Sequence, residues 1–232
     1  MFAVIFVVHP KDGHKDEYLG LAKELKPILE GIDGFIDNER FASQRTEGDI
    51  LSLSTWRDEK AVIRWRTQEK HHEVQGKGRF DVFKDYHLRV GEITADSHPP
   101  EGNRVDEKHF DETLIAKAKV CTITEVIPVS NSAPVGLASA LPNHLGLDIR
   151  AAGLVDQVVF QGITIPGKLL LLTDWENADA ARSWTPQSST AISSLRHRQV
   201  RVIRSYGMRD RQEAPQYYPD VKDQACASDP GW

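Results

Sequence analysis

The sequence has few cysteines and no long apolar run. Its 232 residues include two cysteines, Cys121 and Cys226, which are too few for a disulfide framework or a cysteine-rich zinc site. Since no run reaches about 18 apolar residues, a membrane-spanning helix is not expected. The N-terminus lacks a basic stretch followed by a small-residue cleavage site, and it is interpreted as a first strand. These absences predict a cytoplasmic protein that does not contact membranes.

The sequence also lacks an excess of positive charge. Lys and Arg number 29 against 34 Asp and Glu, a net charge of −5, which argues against a nucleic-acid-binding protein. No GxGxxG or phosphate-binding loop is present, so a nucleotide cofactor is not expected. The histidines form no HxxxH or HxH pair with carboxylate support, and no metal site is predicted. We therefore expect a protein that uses no cofactor.

An internal repeat is present at an offset of 119 residues. At this ungapped shift GFID (34–37) aligns with GLVD (153–156), Trp56 with Trp175, and Trp65 with Trp184. The same shift lays Phe2–Val8 over Cys121–Ile127. Matches of this kind indicate a tandem of two similar units. The predicted divisions are a first unit (1–96), a linker (97–118) with a short helix at about Asp106–Ala118, a second unit (119–209) and a C-terminal tail (210–232) whose aromatic residues are candidates to hold it on the body.

The first unit has a clear order of predicted elements. Lys15–Glu30 has apolar residues at helical spacing, and Asp58 is placed to cap a second helix. The predicted strands are Phe2–Val8, Ile36–Ser43, Asp49–Trp56 and Asp85–Ile93. The order β-α-β-β-α-β is that of a ferredoxin-like fold. Because the first strand is apolar on both faces, we expect the two units to pair as an intramolecular α/β barrel of the α+β class.

The motifs LSLSTWRDEKAVIRWR, His71, Gln75 and Gly78-Arg79 lie between Leu51 and Arg79, with GFIDNERF before them and VFKDYHLRV after them. Across nearly all of the first unit, the chain resembles the antibiotic biosynthesis monooxygenase family. The second unit resembles a degenerate copy, with GLVDQVVF and LLLLTDWENADAARSW.

The resemblance implies a ferredoxin-like unit that usually dimerises into a barrel. It also implies, for some members, oxygenation of polycyclic phenols or quinols by dioxygen without metal or flavin. Other members degrade haem or act on small aldehydes or ketones. The first strand here lacks the asparagine of haem-degrading relatives, so haem cleavage is not expected.

Oxygenation without a cofactor requires a substrate that can itself reduce dioxygen, as a phenolate or enolate. The protein must bind a flat apolar molecule, remove a proton and stabilise the anion. The predicted catalytic residues are His71, Arg79 and Tyr86. The predicted substrate-binding residues are Asn38, Ser52, Ser54, Trp56, Trp65 and His72.

Strand alternation predicts where the cavity lies. Ser52, Ser54 and Trp56 are expected to face the barrel interior with Ile50, while Leu51 and Leu53 lie under the helices. The second unit has Leu169, Leu171, Thr173 and Trp175 at the equivalent positions. A cavity is therefore expected inside the barrel on the side of the first unit.

Several of these residues have a structural alternative. A core role is the more common one for tryptophans at the positions of Trp56 and Trp65, and the repeat retains both. An ideal helix selects His72 as the residue on the face of Trp65, whereas the resemblance selects His71, and both could be solvated. Arg79 could pair with a carboxylate at a domain edge.

Tyr86 could instead pack under a helix, and Asn38 could face solvent at a strand edge.

The first functional prediction is a cofactor-independent monooxygenase acting on an aromatic or quinol-like small molecule. The alternative is a non-catalytic small-ligand-binding or interaction module, and turnover of a reactive aldehyde or quinone is a third reading. The chain is expected to be either a monomeric pseudo-dimer or a homodimer.

Overall fold

The computed structural model describes residues 1–129 and 136–215. The strands, in chain order, are β1 (Phe2–Pro10), β2 (Phe35–Ser43), β3 (Ile50–Trp56), β4 (Phe83–Asp96), β5 (Val120–Pro128), β6 (Leu154–Gly162), β7 (Leu169–Trp175) and β8 (Ile192–Gly207). The helices are α1 (Lys15–Glu30), α2 (Glu59–Thr67), α3 (Glu69–Lys77), α4 (Leu137–His144) and α5 (Ala178–Arg182). A π-helical turn, Gly78–Val82, joins α3 to β4.

The eight strands close into one antiparallel barrel in the order β1-β3-β2-β6-β7-β5-β8-β4. Each unit contributes four neighbouring strands, and the units join where β2 pairs with β6 and where β4 pairs with β8. Because each strand has two neighbours, the described sheet has no unpaired edge. The prediction of two ferredoxin-like units in an intramolecular barrel is confirmed.

The barrel interior is packed with apolar side chains from both units. Phe41 of β2 and Phe160 of β6 are at most 1% exposed and belong to the same buried cluster. Leu51 and Leu53 belong to this interior core, whereas Trp56 packs in a separate cluster beneath α2. The predicted facing of β3 is therefore wrong. Alternation was read correctly, but both faces of this strand are covered, and the pattern alone cannot say which face is the interior.

The first strand of the repeat aligns differently from the ungapped prediction. Phe2 lies opposite Trp56, and Val120 lies opposite Trp175, so β1 and β5 match at an offset of 118. The counterpart of Phe6 is then Thr124 and not Glu125. A shift of one residue in a strand exchanges its two faces, which is why the contacts, and not the ungapped shift, define the equivalent residues.

The predicted helix in the linker is absent from the structure, where residues 106–118 are irregular. Their backbone groups bond to distant partners instead. The amides of Lys108 and His109 donate to the Glu92 carboxylate, and the amide of Thr113 donates to the Val202 carbonyl. A short helix forms poorly alone because its first turn is costly to nucleate, and these long-range bonds prevail.

Candidate active site

A cavity of about 210 Å³ lies between the outer face of the first unit's sheet and the helices α1 to α3. It is not inside the barrel, which corrects the predicted position. Its walls are mainly apolar, with side chains from α1, β1 and β4 that include Leu21, Leu25, Phe6, Leu88 and Val90. A flat apolar molecule of small size suits such a space.

The structure brings seven of the nine predicted site residues to this cavity. They are Asn38, Ser52, Ser54, Trp65, His71, Arg79 and Tyr86. Trp56 lies behind the lining, fully buried, with its ring stacked on that of Trp65 at a centroid distance of 6.4 Å. His72 is exposed and does not line the cavity.

A break between two helices decides which histidine reaches the cavity. Gln68 has extended backbone angles (φ −63°, ψ 127°) and separates α2 from α3. Its side-chain oxygen accepts a hydrogen bond from the His71 amide at 2.8 Å and so caps α3. The helix does not continue past Thr67, so the ideal-helix argument that selected His72 fails. The sequence contains a signal for this break, because Gln68 is a polar residue that can cap the helix beginning at Glu69.

His71 is held in one orientation by Trp65. The two rings stack at 3.9 Å and 14°, and His71 Nδ1 lies 2.8 Å from the Trp65 carbonyl oxygen. A carbonyl can only accept, so Nδ1 carries the proton and Nε2 keeps its lone pair. The Gln75 amide nitrogen lies 3.5 Å from that Nε2. Burial lowers the pKa of His71 to about 4, which leaves the ring neutral at pH 7 with the Nε2 lone pair unprotonated.

Arg79 and Tyr86 form a polar corner of the cavity. Arg79 is 2% exposed and donates from Nη1 to the Tyr86 hydroxyl oxygen at 3.1 Å. Arg211 donates from Nη1 to the same oxygen at 2.7 Å. The π-helical turn that carries Arg79 lies close to Phe83, since a Cβ on Gly78 would stand 2.6 Å from that ring. Arg79 and the Tyr86 hydroxyl are thus hydrogen-bonded to each other, and both residues line the cavity.

The polar residues of the sheet contact each other. Asn38 donates from Nδ2 to Ser52 Oγ at 3.1 Å and to the Leu53 carbonyl at 3.0 Å. Ser54 Oγ accepts from Trp56 Nε1 at 2.9 Å. These contacts fix the sheet face of the cavity.

Sequence reasoning missed the positive charge around the cavity. Its lining includes one glutamate, Glu59, and five arginines: Arg40, Arg66, Arg79, Arg204 and Arg211. Arg40 lies two residues after Asn38 on β2 and therefore on the same face, a signal that the sequence contains. Arg204, Tyr206 and Arg211 lie more than a hundred residues further along the chain, and only the pairing of β8 with β4 brings them to the first unit.

Two other cavities lie at the mouths of the barrel, with volumes of about 210 and 310 Å³. Charged side chains that pair with one another line both. Arg89 binds Asp174 at one mouth, and Lys168 bridges Glu39 and Glu125 at the other. Because these charges are satisfied within the barrel, we regard the apolar cavity of the first unit as the better site for a small organic molecule.

Within residues 1–129 and 136–215, no three or more His, Cys, Asp or Glu side chains are grouped so that they could hold a metal ion. In the same part of the chain, no helix is long and apolar enough to cross a membrane. The predicted anchoring role of the tail's aromatic residues falls on residues outside those that the structure describes.

The fold and this cavity define a duplicated ferredoxin-like barrel with an apolar pocket that contains His71. A sequence model of the family described as antibiotic biosynthesis monooxygenase matches residues 1–77. A protein of Pyricularia oryzae named jasmonate monooxygenase ABM is 41% identical over 224 residues, which cover 94% of this chain and 99% of that protein. The chain belongs to the antibiotic biosynthesis monooxygenase family.

Solved structures also match this chain. An aldoxime dehydratase crystallised with butyraldoxime matches with a TM-score of 0.53 at 12% identity, over 87% of this chain and 79% of that one. A structure described as an antibiotic biosynthesis monooxygenase is 20% identical over 43% of this chain and 100% of its own, with a TM-score of 0.35.

Proposed function

We propose that the first unit is a cofactor-independent monooxygenase that acts on a small aromatic or quinol-like molecule or on an enolisable ketone. The observation that carries this proposal is the neutral, oriented His71 at an apolar cavity, with Nε2 as its basic atom. Such a base can remove a proton from a bound phenol or from a carbon next to a carbonyl. Family membership supports the same reaction class.

The reaction needs no external reductant when the substrate supplies the electrons. His71 takes the proton, and the resulting carbanion or phenolate reduces dioxygen and forms a C–O bond. The hydroperoxide at that carbon then loses water, so that CH₂ and O₂ become C=O and H₂O. Arg79 and the Tyr86 hydroxyl provide donors to a developing oxyanion, and the apolar walls exclude bulk water from the intermediate.

The Pyricularia relative adds a specific test compound. Its name gives jasmonate as the substrate, and jasmonate contains a cyclopentanone whose neighbouring carbons are enolisable. We propose this compound as a candidate substrate of the present chain, beside hydroquinones and anthrone-type phenols.

Dioxygen uptake by metal-stripped protein tests the function. The panel contains jasmonate, hydroquinones and anthrone, with wild type beside His71→Ala and His72→Ala. We expect uptake that falls about 10²- to 10⁴-fold in His71→Ala, the scale of losing a general base, and that stays near wild type in the control His72→Ala. No uptake by folded wild type, or equal rates in both variants, would contradict the proposal.

A non-catalytic ligand-binding module is the second candidate function. The second unit supports it, because that unit keeps the Trp175–Trp184 stack while its sheet is covered by packed leucines. The fold therefore persists without a histidine-bearing cavity. Binding of panel compounds without oxygen consumption would favour this candidate.

We also propose that the chain is a monomer in the cytoplasm. The closed barrel already contains the pairing of two units that a dimer would otherwise supply. Sedimentation velocity of the purified protein tests this, and a stable dimer would contradict it.

A further inference from the structure

The second half of the chain builds one wall of the first unit's cavity. Strand β8 pairs with β4 and brings Arg204 and Tyr206 to the cavity. The chain continues from β8 into residues 208–215, which we call the strap. Arg211 and Pro215 of the strap also line the cavity. The cavity is therefore complete only when the strap lies against the first unit.

The strap begins at a buried residue and lies against Tyr86. Met208, its first residue, is 5% exposed, and its amide donates to the Tyr86 carbonyl oxygen at 3.1 Å. Arg211 donates from Nη1 to the Tyr86 hydroxyl oxygen at 2.7 Å and lies 5.7 Å from the centre of the Tyr206 ring. The Ala214 amide donates to the Arg211 carbonyl oxygen at 3.0 Å. The strap is thus a turn whose first part is attached to β4 through Tyr86.

The second attachment of the strap is the Glu213 carboxylate. Its Oε2 accepts from Thr113 Oγ1 and from the Ser205 amide, each at 2.7 Å. Its Oε1 accepts from the Leu114 amide, also at 2.7 Å. Burial raises the pKa of Glu213, but these hydrogen bonds outweigh burial and lower the pKa below its ordinary value. One ionised side chain therefore joins the strap to the linker and to β8.

The linker holds its donors to Glu213 in fixed directions. Thr113 is 1% exposed, and its amide donates to the Val202 carbonyl oxygen at 2.8 Å. Lys119 Nζ donates to the Thr113 carbonyl oxygen at 2.6 Å. Thr113 Oγ1 accepts from the Ala116 amide at 3.1 Å, and its one O–H is donated to Glu213. The position of Thr113 is thus set by contacts that do not involve the strap.

The three partners of Glu213 all donate, which suits a carboxylate and no neutral side chain of the same size. A carboxylate accepts at both oxygens, and hydrogen bonds to a charged group are stronger than those between neutral groups. Glutamine at this position would turn its NH₂ group towards N–H or O–H donors and leave at least one of them unpaired. Glu213→Gln therefore weakens the attachment of the strap with little change in shape.

We infer that Glu213 is a positioning residue of the site: it anchors the strap to the linker and to β8, and so holds the wall that Arg211 and Pro215 supply. Glu213 itself does not line the cavity and acts through the strap. The inference rests on the proposed function, since it concerns the closure of that same site. The anchor and a molecule bound in the cavity stabilise the same position of the strap, so that each strengthens the other.

Limited trypsin digestion of the full chain measures release of the strap. Arg211 is partly buried, so the rate of cleavage after it follows the population in which the strap has opened. We expect cleavage about 10-fold faster in Glu213→Gln than in wild type, the scale of losing hydrogen bonds to a charged group. Glu112→Gln is the matched control, because Glu112 is an exposed carboxylate of the linker, and it should be cleaved like wild type. All rates are divided by those of short peptides with the same sequence around Arg211, since Glu213 lies two residues after it.

A second pair of variants changes the partner of Glu213 and leaves the strap sequence intact. Thr113→Val keeps the shape of the buried side chain and removes the O–H that donates to Glu213, so cleavage after Arg211 should rise about 10-fold. Thr113→Ser keeps the hydroxyl and should be cleaved at nearly the wild-type rate. Cleavage after Lys70 and Lys77 of α3 reports on opening elsewhere and should be unchanged in every variant.

A flat neutral probe connects the strap with the cavity. Anaerobic binding of 2-naphthol is followed by its fluorescence, and digestion is repeated at a saturating concentration. We expect the probe to slow cleavage after Arg211 about 10-fold in wild type and in Glu213→Gln, because the closed strap covers apolar surface of the bound molecule. Absence of binding to wild type, or cleavage that the saturating probe leaves unchanged, overturns the inference.

The digestion has two further outcomes that contradict the anchor. Equal normalised rates after Arg211 in wild type and Glu213→Gln overturn it. A rise after Arg211 that is matched by an equal rise after Lys70 and Lys77 also overturns it, because Glu213 would then stabilise the fold as a whole.

Dioxygen uptake separates the failure of this inference from the failure of the proposed function. Protection of the strap by the probe and its release in Glu213→Gln, without uptake, support the anchor and remove the monooxygenase proposal. Uptake that depends on His71, with cleavage after Arg211 unaffected by Glu213→Gln, supports the monooxygenase and overturns the anchor.

Discussion

The two units share a framework and differ in what covers their sheets. Trp56 stacks on Trp65 at 6.4 Å, and Trp175 stacks on Trp184 at 6.3 Å. The two strand-end tryptophans each donate from Nε1 to a hydroxyl two residues earlier, at 2.9 Å in both units. The duplicated tryptophans are therefore part of the framework, and the tryptophan itself does not mark a site.

Helix caps and turns repeat in the same way. Asp58 and Asn177 accept from the amide three residues later, and each begins a helix. Gly34 and Gly153 have φ of 89° and 78°, and a Cβ at either would stand 2.7 or 2.6 Å from the Cβ of the alanine that packs against it. These positions determine local geometry, which explains why they match across the repeat.

The units differ at the residues that face the helices. By strand register, Tyr86 corresponds to Leu195, Ser52 to Leu171 and Arg40 to Val159. The covering helices differ as well, since α1 has 16 residues and α4 has 8. In the second unit, four leucines pack on this face: Leu137, Leu141, Leu145 and Leu147. A few exchanges from polar to apolar residues therefore separate an open face from a filled one.

The largest expected effect comes from giving the first unit a residue of the second. Ser52→Leu copies Leu171 and places a bulky side chain in the cavity, so a substrate no longer reaches His71. We expect dioxygen uptake to fall about 10²-fold or more, because small misplacements of a reactant have effects of that size. Uptake assays with Ser52→Ala as the control separate filling from loss of the hydroxyl, since the alanine variant should keep most activity. Full activity in the leucine variant would mean that chemistry occurs elsewhere.

The reverse exchange should affect stability and leave activity intact. Leu171 is 0% exposed, so Leu171→Ser leaves both a void and a buried hydroxyl. We expect the free energy of unfolding to fall by about 3–5 kcal/mol, measured by urea denaturation. The same experiment on Ser52→Ala should show a change below about 1 kcal/mol. If Leu171→Ser were as stable as wild type, the second unit would not be filled as the structure shows.

Taken per pH unit, acid sensitivity is the smallest of these effects, and it occurs in both units. Burial lowers the pKa of His71 and of His197 to about 4, from an ordinary value of 6.5. Between these values the unfolded chain binds a proton that the folded ring does not. Stability is thus fully present above pH 6.5 and is lost as pH falls towards 4, by at most about 1.4 kcal/mol per pH unit for each ring.

Denaturation midpoints at successive pH values measure this dependence. His71→Gln and His197→Gln should each remove one ring's share of the slope, with His72→Gln as an exposed control. A slope that is the same in all three variants and wild type would place its origin in other groups.

Most of the site residues predicted from the sequence line the cavity, but the position of the cavity was not predicted. Strand alternation predicts that Ser52 and Ser54 face the barrel interior, yet they line the opposite face of the sheet. The choice between His71 and His72 depended on whether a helix was continuous at Gln68. Alternation shows which residues of a strand share a face, and periodicity shows which residues of a helix share a face. Neither pattern shows which face is covered by what, or where a helix is interrupted.

The linker illustrates the limit of short amphipathic patterns. An amphipathic pattern predicts a short helix at about Asp106–Ala118, but amides of this segment bond to Glu92 and Val202. A pattern of about a dozen residues is too short to determine its own structure when such distant partners are available.

The sequence by itself determined the duplication, the ferredoxin-like order of strands and helices, and the family, because these depend on local periodicity, turns and caps. It also contained the histidine and arginine at which the site was sought. Only the tertiary structure decided that the cavity lies outside the barrel, and that β8 and the segment to Pro215 complete it. The physical reason is that barrel closure pairs β4 with β8, which joins residues more than a hundred positions apart, and no local pattern encodes contacts at that separation.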